Sequence, residues 1–211
     1  MAFLPKAEIQ RRSAEIFDFD SYDPNSVDTA GYNLRLGPEA FISTGETPYR
    51  LTDENPMVAI HPGEFGLLTT YEYLKIPKNL IAFITLRHRY KKQGLINVSG
   101  FHVDPGFEGK LVFSVYNVGR SDIVLRFKDG IFMIFFAIVN PEAIPEPQKH
   151  IHHKQKSLSL EDMLSIRGPS MSLVHLEGRM RDLEGRFRFY GAIITGILLA
   201  MFAFVARLVF K

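Results

Sequence analysis

Hydrophobic and polar positions alternate through most of the first 140 residues of this chain. Between residues 32 and 139, short runs rich in β-branched and aromatic residues are separated by turn signals, for example at 62–63 and 128–130. Such a pattern predicts an all-β domain of the sandwich or barrel type. Ahead of it, a helical segment is predicted over residues 1–24, with a short helix over 7–17.

The remaining residues follow other patterns. Residues 141–172 lose the alternation and contain Pro together with a run of Lys and His, so they are predicted to be a linker. Residues 173–188 include a seven-residue repeat, LEGRMRD followed by LEGRFRF. This repeat predicts a short parallel coiled coil or an amphipathic helix at a membrane surface, although Gly178 and Gly185 each weaken a helix by about 1 kcal/mol relative to Ala. Residues 189–210 are almost wholly apolar and predict a transmembrane helix.

Charge and composition narrow the function classes. Four arginines precede the apolar run and only Arg207 and Lys211 border its far end, which favours a single-pass C-terminal anchor with a cytoplasmic β domain. The N-terminus lacks the pattern of a secretory signal, a net charge of +2 does not suggest nucleic-acid binding, and the absence of Cys excludes disulfides and a Cys-based zinc deaminase site. His150, His152 and His153 could bind a metal, but three histidines without a nearby carboxylate are more typical of a polar tether. No metal site is therefore predicted.

The segment from residue 94 to 119 places one acid between two apolar strands. Asp104-Pro105-Gly106 predicts a tight turn, because Pro presets φ and Gly accepts the left-handed conformation. Over residues 111–116, Leu, Phe and Val at odd positions alternate with Val, Ser and Tyr at even positions, as in a strand with one buried face. Taken alone, an acid beside a turn is typical of a solvated turn residue.

Several motifs together resemble the dCTP deaminase and dUTPase superfamily. The turn and strands around Asp104 resemble its active-site hairpin, AGYNLRLG at 30–37 resembles its early motif, and HPGEFGLL at 61–68 resembles its PGEF strand. Residues 123–136 occupy the place of its last strand pair. The resemblance covers residues 25–140 and implies a dUTPase-like β-barrel, or distorted jelly roll, that forms homotrimers with active sites between subunits.

The departures from the family pattern fall on residues that would carry its chemistry. Ser114 stands in the place of the family's proton-shuttling Glu, and a hydroxyl without a neighbouring base cannot do that work at neutral pH. The serines of the family's phosphate-contacting motif are absent from RHRYKK at 87–92, and residues 94–104 form a segment one residue shorter than usual. Met133 replaces a Gln that helps to hold the triphosphate, and Asn33 replaces the usual Asp. Deamination is therefore predicted to be lost.

Two features of the family's site remain. Asp104 occupies the place of the acid that orients the attacking water in the dUTPase branch and the bifunctional enzymes, so it is the candidate catalytic residue. The basic residues at 87–92 keep positive charge where the family binds a triphosphate, although such a cluster can also deter pairing at an exposed sheet edge. The resemblance implies a pyrimidine deoxynucleotide as ligand, with Mg²⁺ only as the companion of a bound triphosphate. The predicted nucleotide-binding residues are Arg87, His88, Arg89, Lys92, Asp104, Gly106, Ser114 and Tyr116.

Three functions are compatible with these residues. The favoured one is a trimeric sensor or regulator in the bilayer that binds a deoxynucleotide without deaminating it. A second is an active deaminase or pyrophosphatase, in which Asp104 activates water and another group replaces the missing Glu. A third is a structural scaffold in which the β trimer only holds subunits together at the membrane.

Overall fold

Strands are the main regular secondary structure of the first 140 residues, as the alternation predicted. The computed structural model describes residues 2–140, 154–168 and 173–209. The helices and strands of these residues, in chain order, are α1 (Lys6–Arg11), α2 (Ser13–Ile16), a 3₁₀ turn (Pro24–Ser26), β1 (Tyr32–Ile42), β2 (Tyr49–Arg50), β3 (Met57–Ile60), β4 (Phe65–Thr70), β5 (Leu74–Lys75), β6 (Leu80–Leu86), α3 (His88–Lys91), β7 (Leu95–Asn97), β8 (His102–Val103), β9 (Glu108–Gly109), β10 (Val112–Asn117), β11 (Ile123–Arg126), β12 (Gly130–Ile138), α4 (Leu160–Ile166) and α5 (Leu173–Val209).

Most of the strands pair into one curled sheet with the order β7-β10-β4-β1-β12-β6-β8, and β2 adds to the side of β1. Two smaller antiparallel pairs, β3 with β11 and β5 with β9, complete the domain. The two outermost strands, β7 and β8, follow each other directly in the chain, so a short loop joins the two edges of the sheet. The predicted all-β domain of barrel type is confirmed.

The interior of the curl is filled by side chains from both halves of the sheet. The rings of Phe113 on β10 and Phe132 on β12 stack with their centroids 3.5 Å apart and their planes at 11°. Burying a side chain of this size stabilises the fold by roughly 1.5–3 kcal/mol. Phe113 and Val115 are buried, so the alternation turns Ser114 and Tyr116 to the outer face of the strand.

A buried ion pair ties β1 to the connection between β4 and β5. Arg35 donates from Nε to Oε1 of Glu72 at 2.6 Å and from its backbone N to Oε2 at 2.9 Å. The Tyr32 hydroxyl lies 3.3 Å from the same carboxylate. Burial raises the pKa of Glu72, and the charge of Arg35 opposes that shift.

The N-terminal segment differs from the single helix predicted over 7–17. Arg12 lies between α1 and α2 with φ −96° and ψ 10°, and it ends one helix and precedes the next. Its guanidinium donates to Glu15 at 2.8 Å and to Oδ1 of Asn79 at 3.0 Å, which holds this break against a loop of the β domain. Ile9 of α1 and Ile16 of α2 are both fully buried in the core.

Part of the predicted linker packs on the β domain. Residues 154–168, called the strap below, run along the outer face of the sheet and include α4. The strap begins with a bridge in which Lys154 N donates to the Glu108 carbonyl at 2.7 Å and Lys110 N donates to the Gln155 carbonyl at 2.8 Å. The rest of the predicted linker, including the histidines at 150, 152 and 153, lies outside the described residues.

Further along the strap, Leu158 is 9% exposed and packs with Phe41 and Leu67 of β1 and β4. Its backbone N donates to Oε2 of Glu39 at 2.8 Å, and that carboxylate is itself buried and paired with Arg50. Ser159 caps α4, and Met163 and Ile166 of that helix face the same apolar cluster. At the end of the strap, Gly168 N donates to the Ser43 carbonyl at 2.9 Å.

A second compact unit begins at residue 171 and contains the helix α5. This one helix covers most of the predicted juxtamembrane and transmembrane segments, and neither Gly178 nor Gly185 interrupts it. The stretch Leu176–Arg207 contains a window of 18 residues with a mean hydropathy of 2.2, which is long and apolar enough to cross a membrane, and none of that window is buried. Ion pairs between side chains four residues apart, such as Arg181 with Glu177 at 3.5 Å, stabilise the polar half of the helix.

Candidate functional site

The predicted phosphate-binding cations gather on one helical turn at the end of β6. His88 and Arg89 lie on α3, Arg87 precedes this helix and Lys92 follows it. Arg87 is half-buried, and the other three residues are exposed. Arg87 N donates to the Ile131 carbonyl at 2.9 Å, which fixes the start of the turn on the neighbouring β12. We call residues 87–92 the basic cluster. Guanidinium groups held in this way suit bidentate contacts with phosphate oxygens.

The surroundings of the basic cluster leave room for the Arg87 side chain. A Cβ built on Gly130 would lie 3.1 Å from Nη1 of Arg87, so the glycine lets the guanidinium pass close to the β1 and β12 ladder. Arg89 covers the ring of the buried Tyr90, with its Cζ 4.7 Å from the ring centroid. Lys91 donates to Oγ1 of Thr85 at 2.7 Å. The cluster is therefore attached to the sheet, while most of its charges remain in solvent.

Asp104 lies in the turn that the sequence predicted. Gly106 adopts φ +85°, a conformation that favours glycine, and its backbone N donates to the Ile76 carbonyl at 2.8 Å. Oδ1 of Asp104 lies 3.4 Å from Nε2 of His102, and both side chains are nearly half exposed. The carboxylate is thus accessible at the rim of the domain, beside an imidazole that could share a proton or a phosphate contact with it.

The register of β6 and β8 separates Asp104 from the basic cluster within one protomer. Ala82 pairs with Val103 and Phe83 pairs with His102, so Asp104 falls beside residue 81. Arg87 lies six residues further along the chain, a distance of roughly 20 Å at about 3.3 Å per residue. Asp104 and the basic cluster therefore lie on separate parts of one protomer, and the sites between subunits that the resemblance implied stay a prediction.

Ser114 and Tyr116 lie together on the outer face of β10. Ser114 is paired with Leu67 of β4, and its carbonyl accepts a hydrogen bond from Val98 N at 2.8 Å. Tyr116 is paired with Phe65, and the two ring centroids are 4.5 Å apart. The structure therefore groups these two predicted residues with each other and places them on a different part of the sheet from the basic cluster.

Ser114 faces a cavity between the sheet and the strap. The cavity has a volume of about 270 Å³ and combines an apolar floor with polar groups from both sides. Its lining residues are Leu67, Phe107, Lys110, Leu111, Val112, Ser114, Gln155, Asp162 and Ser165. Burial lowers the pKa of Lys110, while Glu39 and Glu72 oppose that shift.

Sequence reasoning missed the strap residues of this cavity. Asp162 supplies a carboxylate to the cavity that Ser114 lines, although the sheet itself has lost the expected Glu. The signal that was available is the run Ser159 to Asp162, in which the serine Oγ accepts from Asp162 N at 3.0 Å as an N-cap. Met163 and Ile166 are three residues apart on α4 and Leu158 precedes its N-cap, but nothing local shows that these residues pack on this face.

Known proteins that are similar to this chain support the family resemblance. The family described as dCTP deaminase-like matches residues 3–139 of the chain. A dCTP deaminase of Pyrococcus abyssi is 30% identical over 115 residues, which is 54% of this chain and 72% of that protein. A dUMP-forming dCTP deaminase of Methanothermobacter thermautotrophicus is 32% identical over 92 residues, covering 43% of this chain and 46% of the relative.

A solved structure shares the fold. The crystal structure of the 2'-deoxycytidine 5'-triphosphate deaminase from Agrobacterium tumefaciens superposes with a TM-score of 0.55 at 16% identity, over 65% of this chain and 48% of that chain. The strap and α5 both begin after residue 139, where the family match ends. Because the family match covers well over half of the chain, the chain belongs to the dCTP deaminase-like family.

Proposed function

We propose that this chain is a membrane-anchored, dCTP deaminase-like protein that binds a pyrimidine deoxynucleotide without deaminating it, as a sensor or regulator. The observation that carries the proposal is Ser114, which stands on the outer face of β10 in the place of the family's catalytic Glu. A serine hydroxyl cannot hold the proton that must move between water and the cytosine ring at neutral pH. The fold is retained, and the group that deamination needs on the sheet is not.

Binding of the nucleotide is supported by the basic cluster and by the turn around Asp104. Arg87 and Arg89 offer guanidinium groups to phosphate oxygens, and Lys92 adds a mobile point charge. Because these cations lie far from Asp104 in one protomer, the proposed site forms between subunits of a homotrimer. Mg²⁺ would enter as the companion of the bound triphosphate, whose oxygens suit this ion.

Membrane attachment is supported by α5. An apolar helix of this length pairs its backbone groups internally and can cross the hydrocarbon core of a bilayer. The arginines at 179, 181, 186 and 188 precede the apolar stretch and favour a cytoplasmic β domain. Full-length protein should therefore stay with the membrane fraction after alkaline carbonate extraction. Its release into the soluble fraction would contradict the anchor.

The central test uses full-length protein in lipid nanodiscs with dCTP and dUTP. Isothermal titration calorimetry measures binding, while ammonia and pyrophosphate assays measure turnover on the same samples. The expected result is binding of at least one nucleotide with neither product formed. Formation of ammonia would show that the chain is a deaminase, formation of pyrophosphate would show a hydrolase, and absence of binding in all samples would leave the scaffold function.

A second candidate function, residual catalysis, is favoured by one observation. Asp162 and Lys110 line the same cavity as Ser114, so a carboxylate and an amine are available where the sheet has lost its own acid. If turnover is found, Asp162→Asn should abolish deamination, because Asp162 would be the proton carrier. Asp104→Asn should instead abolish hydrolysis of the phosphate, because it would orient the attacking water. Each variant is the control for the other.

A further inference from the structure

The strap covers the face of the sheet on which Ser114 lies. Its backbone is held at both ends, by the bridge of Gln155 to the strand before β10 and by the hydrogen bond from Gly168 N to the Ser43 carbonyl. Between these ends, Leu158 fills an apolar site against β1 and β4. The strap is therefore a docked segment with few, separable attachments.

Strap residues stand over the space next to Ser114. The cavity there holds about 270 Å³, slightly below the range of about 300–1,000 Å³ that is typical of ligand pockets. Gln155, Asp162 and Ser165 of the strap line this cavity together with Ser114, so a deoxynucleotide placed on the Ser114 face would meet the strap.

The strap is also suited to leave the sheet. α4 spans Leu160–Ile166, and an isolated helix of this length is unstable in water, so its conformation depends on docking. One side of α4 already faces solvent, because Leu160 is 68% and Leu164 is 58% exposed. Only residues 169–172 separate the strap from the first residue of α5.

We infer that the strap is an internal competitor for the Ser114 face, docked when the face is empty and displaced when a pyrimidine deoxynucleotide binds. The inference rests on the proposed function, because it takes the nucleotide as the displacing ligand. Displacement would release the chain that leads into α5, so nucleotide binding to the β domain would change the length of undocked chain before the helix α5. Apparent affinity is then proportional to the fraction of molecules in which the strap is undocked, so it falls as docking becomes more favourable.

A matched pair of substitutions tests the competition in full-length protein in nanodiscs. Leu158→Asp places a charge in the apolar contact and should undock the strap, whereas Leu160→Asp changes a nearby exposed leucine and should not. If the strap is docked in about nine of ten molecules, Leu158→Asp tightens the Kd for dCTP about tenfold. Thermal unfolding of the β domain in both variants checks that the sheet remains folded.

A second variant leaves the apolar cluster intact. Gly168→Pro removes the N–H that donates to Ser43, and Arg167 already has φ −64° and ψ 126°, which suits a residue before proline. This variant should tighten the Kd for dCTP in the same direction, by a smaller factor. Hydrogen exchange at Leu158 N, measured with and without dCTP, reports strap docking independently of affinity.

The results separate the inference from the proposed function. Faster exchange at Leu158 on addition of dCTP, with tighter binding by Leu158→Asp, supports competition. Binding of dCTP only after the strap is undocked would support it as well. Equal affinity in all variants with unchanged exchange would overturn the competition and leave the nucleotide-binding function standing. Absence of dCTP and dUTP binding in every variant would overturn both.

Discussion

The basic cluster and the Ser114 face occupy different parts of the same sheet and are surrounded by the chain in opposite ways. At the end of β6, His88, Arg89 and Lys92 are exposed. On the outer face of β10, Ser114 lies beneath a segment contributed from residues 154–168. The cations of the basic cluster are therefore open to solvent, whereas the Ser114 face is covered by the chain itself.

This difference follows from the chemistry of the two surfaces. Apolar side chains of β1 and β4 face the strap, and Leu158 buries them by packing there. The basic cluster carries cations, which remain in solvent because burying unpaired cations is costly. Substitutions can therefore test the two regions one at a time. They are ordered below from the buried ion pair that supports both regions to single charged side chains.

The largest loss in the free energy of unfolding is expected for Arg35→Ala. β1 lies between β4 and β12 in the sheet, so it supports both regions, and the substitution leaves the buried Glu72 without its partner. Loss of one partner of a buried pair costs about 3–5 kcal/mol in the free energy of unfolding. Urea unfolding should show this loss together with weaker nucleotide binding.

Lys128→Ala is the control for that prediction. Lys128 pairs with Asp53 at 2.8 Å on the surface, where both side chains are more than a third exposed. Such a pair contributes about 0–1 kcal/mol. Equal losses in the two variants would contradict the role assigned to the buried pair.

The second largest effect is a loss of nucleotide affinity on substitution in the basic cluster. The double substitution Arg87→Ala/Lys92→Ala should weaken the Kd for dCTP by roughly tenfold to hundredfold at low salt, because hydrogen bonds to charged groups are strong. The loss should shrink as salt screens the exposed charges. Strap protection, measured by hydrogen exchange at Leu158, should not change, since the cluster lies elsewhere on the sheet.

Lys78→Ala/Arg126→Ala removes two exposed cations elsewhere in the β domain and controls for net charge. Calorimetry should give the wild-type affinity for this control. If the Arg87→Ala/Lys92→Ala protein also binds dCTP as the wild type does, the basic cluster protects an exposed sheet edge and does not hold phosphate.

The smallest effect is expected at Lys110. Burial lowers the pKa of Lys110 in the folded protein below 10.5, so above the folded pKa the unfolded chain binds more protons than the folded one. Wild-type stability should therefore rise with pH over the interval that ends near 10.5, relative to Lys110→Met. Because Lys110 is only half-buried, the difference should stay under about 1 kcal/mol.

Urea unfolding from pH 8 to 10.5 measures that difference. The same substitution at the exposed Lys92 controls for the loss of one lysine. Parallel pH profiles of wild type and Lys110→Met would show that the strap does not desolvate this side chain.

The local parts of the fold were predictable from sequence, and the parts set by distant contacts were not. Alternation over residues 111–116 predicted which side of β10 carries Ser114, because strand geometry has a period of two. The break at Arg12 was missed because it depends on Asn79, 67 residues away. The strap was missed for the same reason, since Leu158 bonds to Glu39 across 119 residues.

The candidate site was predictable residue by residue but not as an arrangement. The family resemblance singled out Ser114, by the count from Asp104, and the basic cluster, by the motif at 87–92. Their separation on the sheet follows from the register of β6 with β8, which fixes Asp104 beside residue 81. A sequence pattern indicates that strands exist, whereas register also depends on packing and loop geometry.

Undocking of the strap would lengthen the tether between the β domain and α5. Docking fixes fifteen residues, 154–168, to the sheet. Released and extended, the same residues reach up to roughly 50 Å, at 3.3–3.6 Å per residue. The volume that a tethered domain explores grows steeply with the length of its tether, so its effective concentration toward neighbours on the same bilayer falls as the tether lengthens. A nucleotide that undocks the strap would thus change which membrane-bound neighbours the β domain can meet, without altering the fold of that domain.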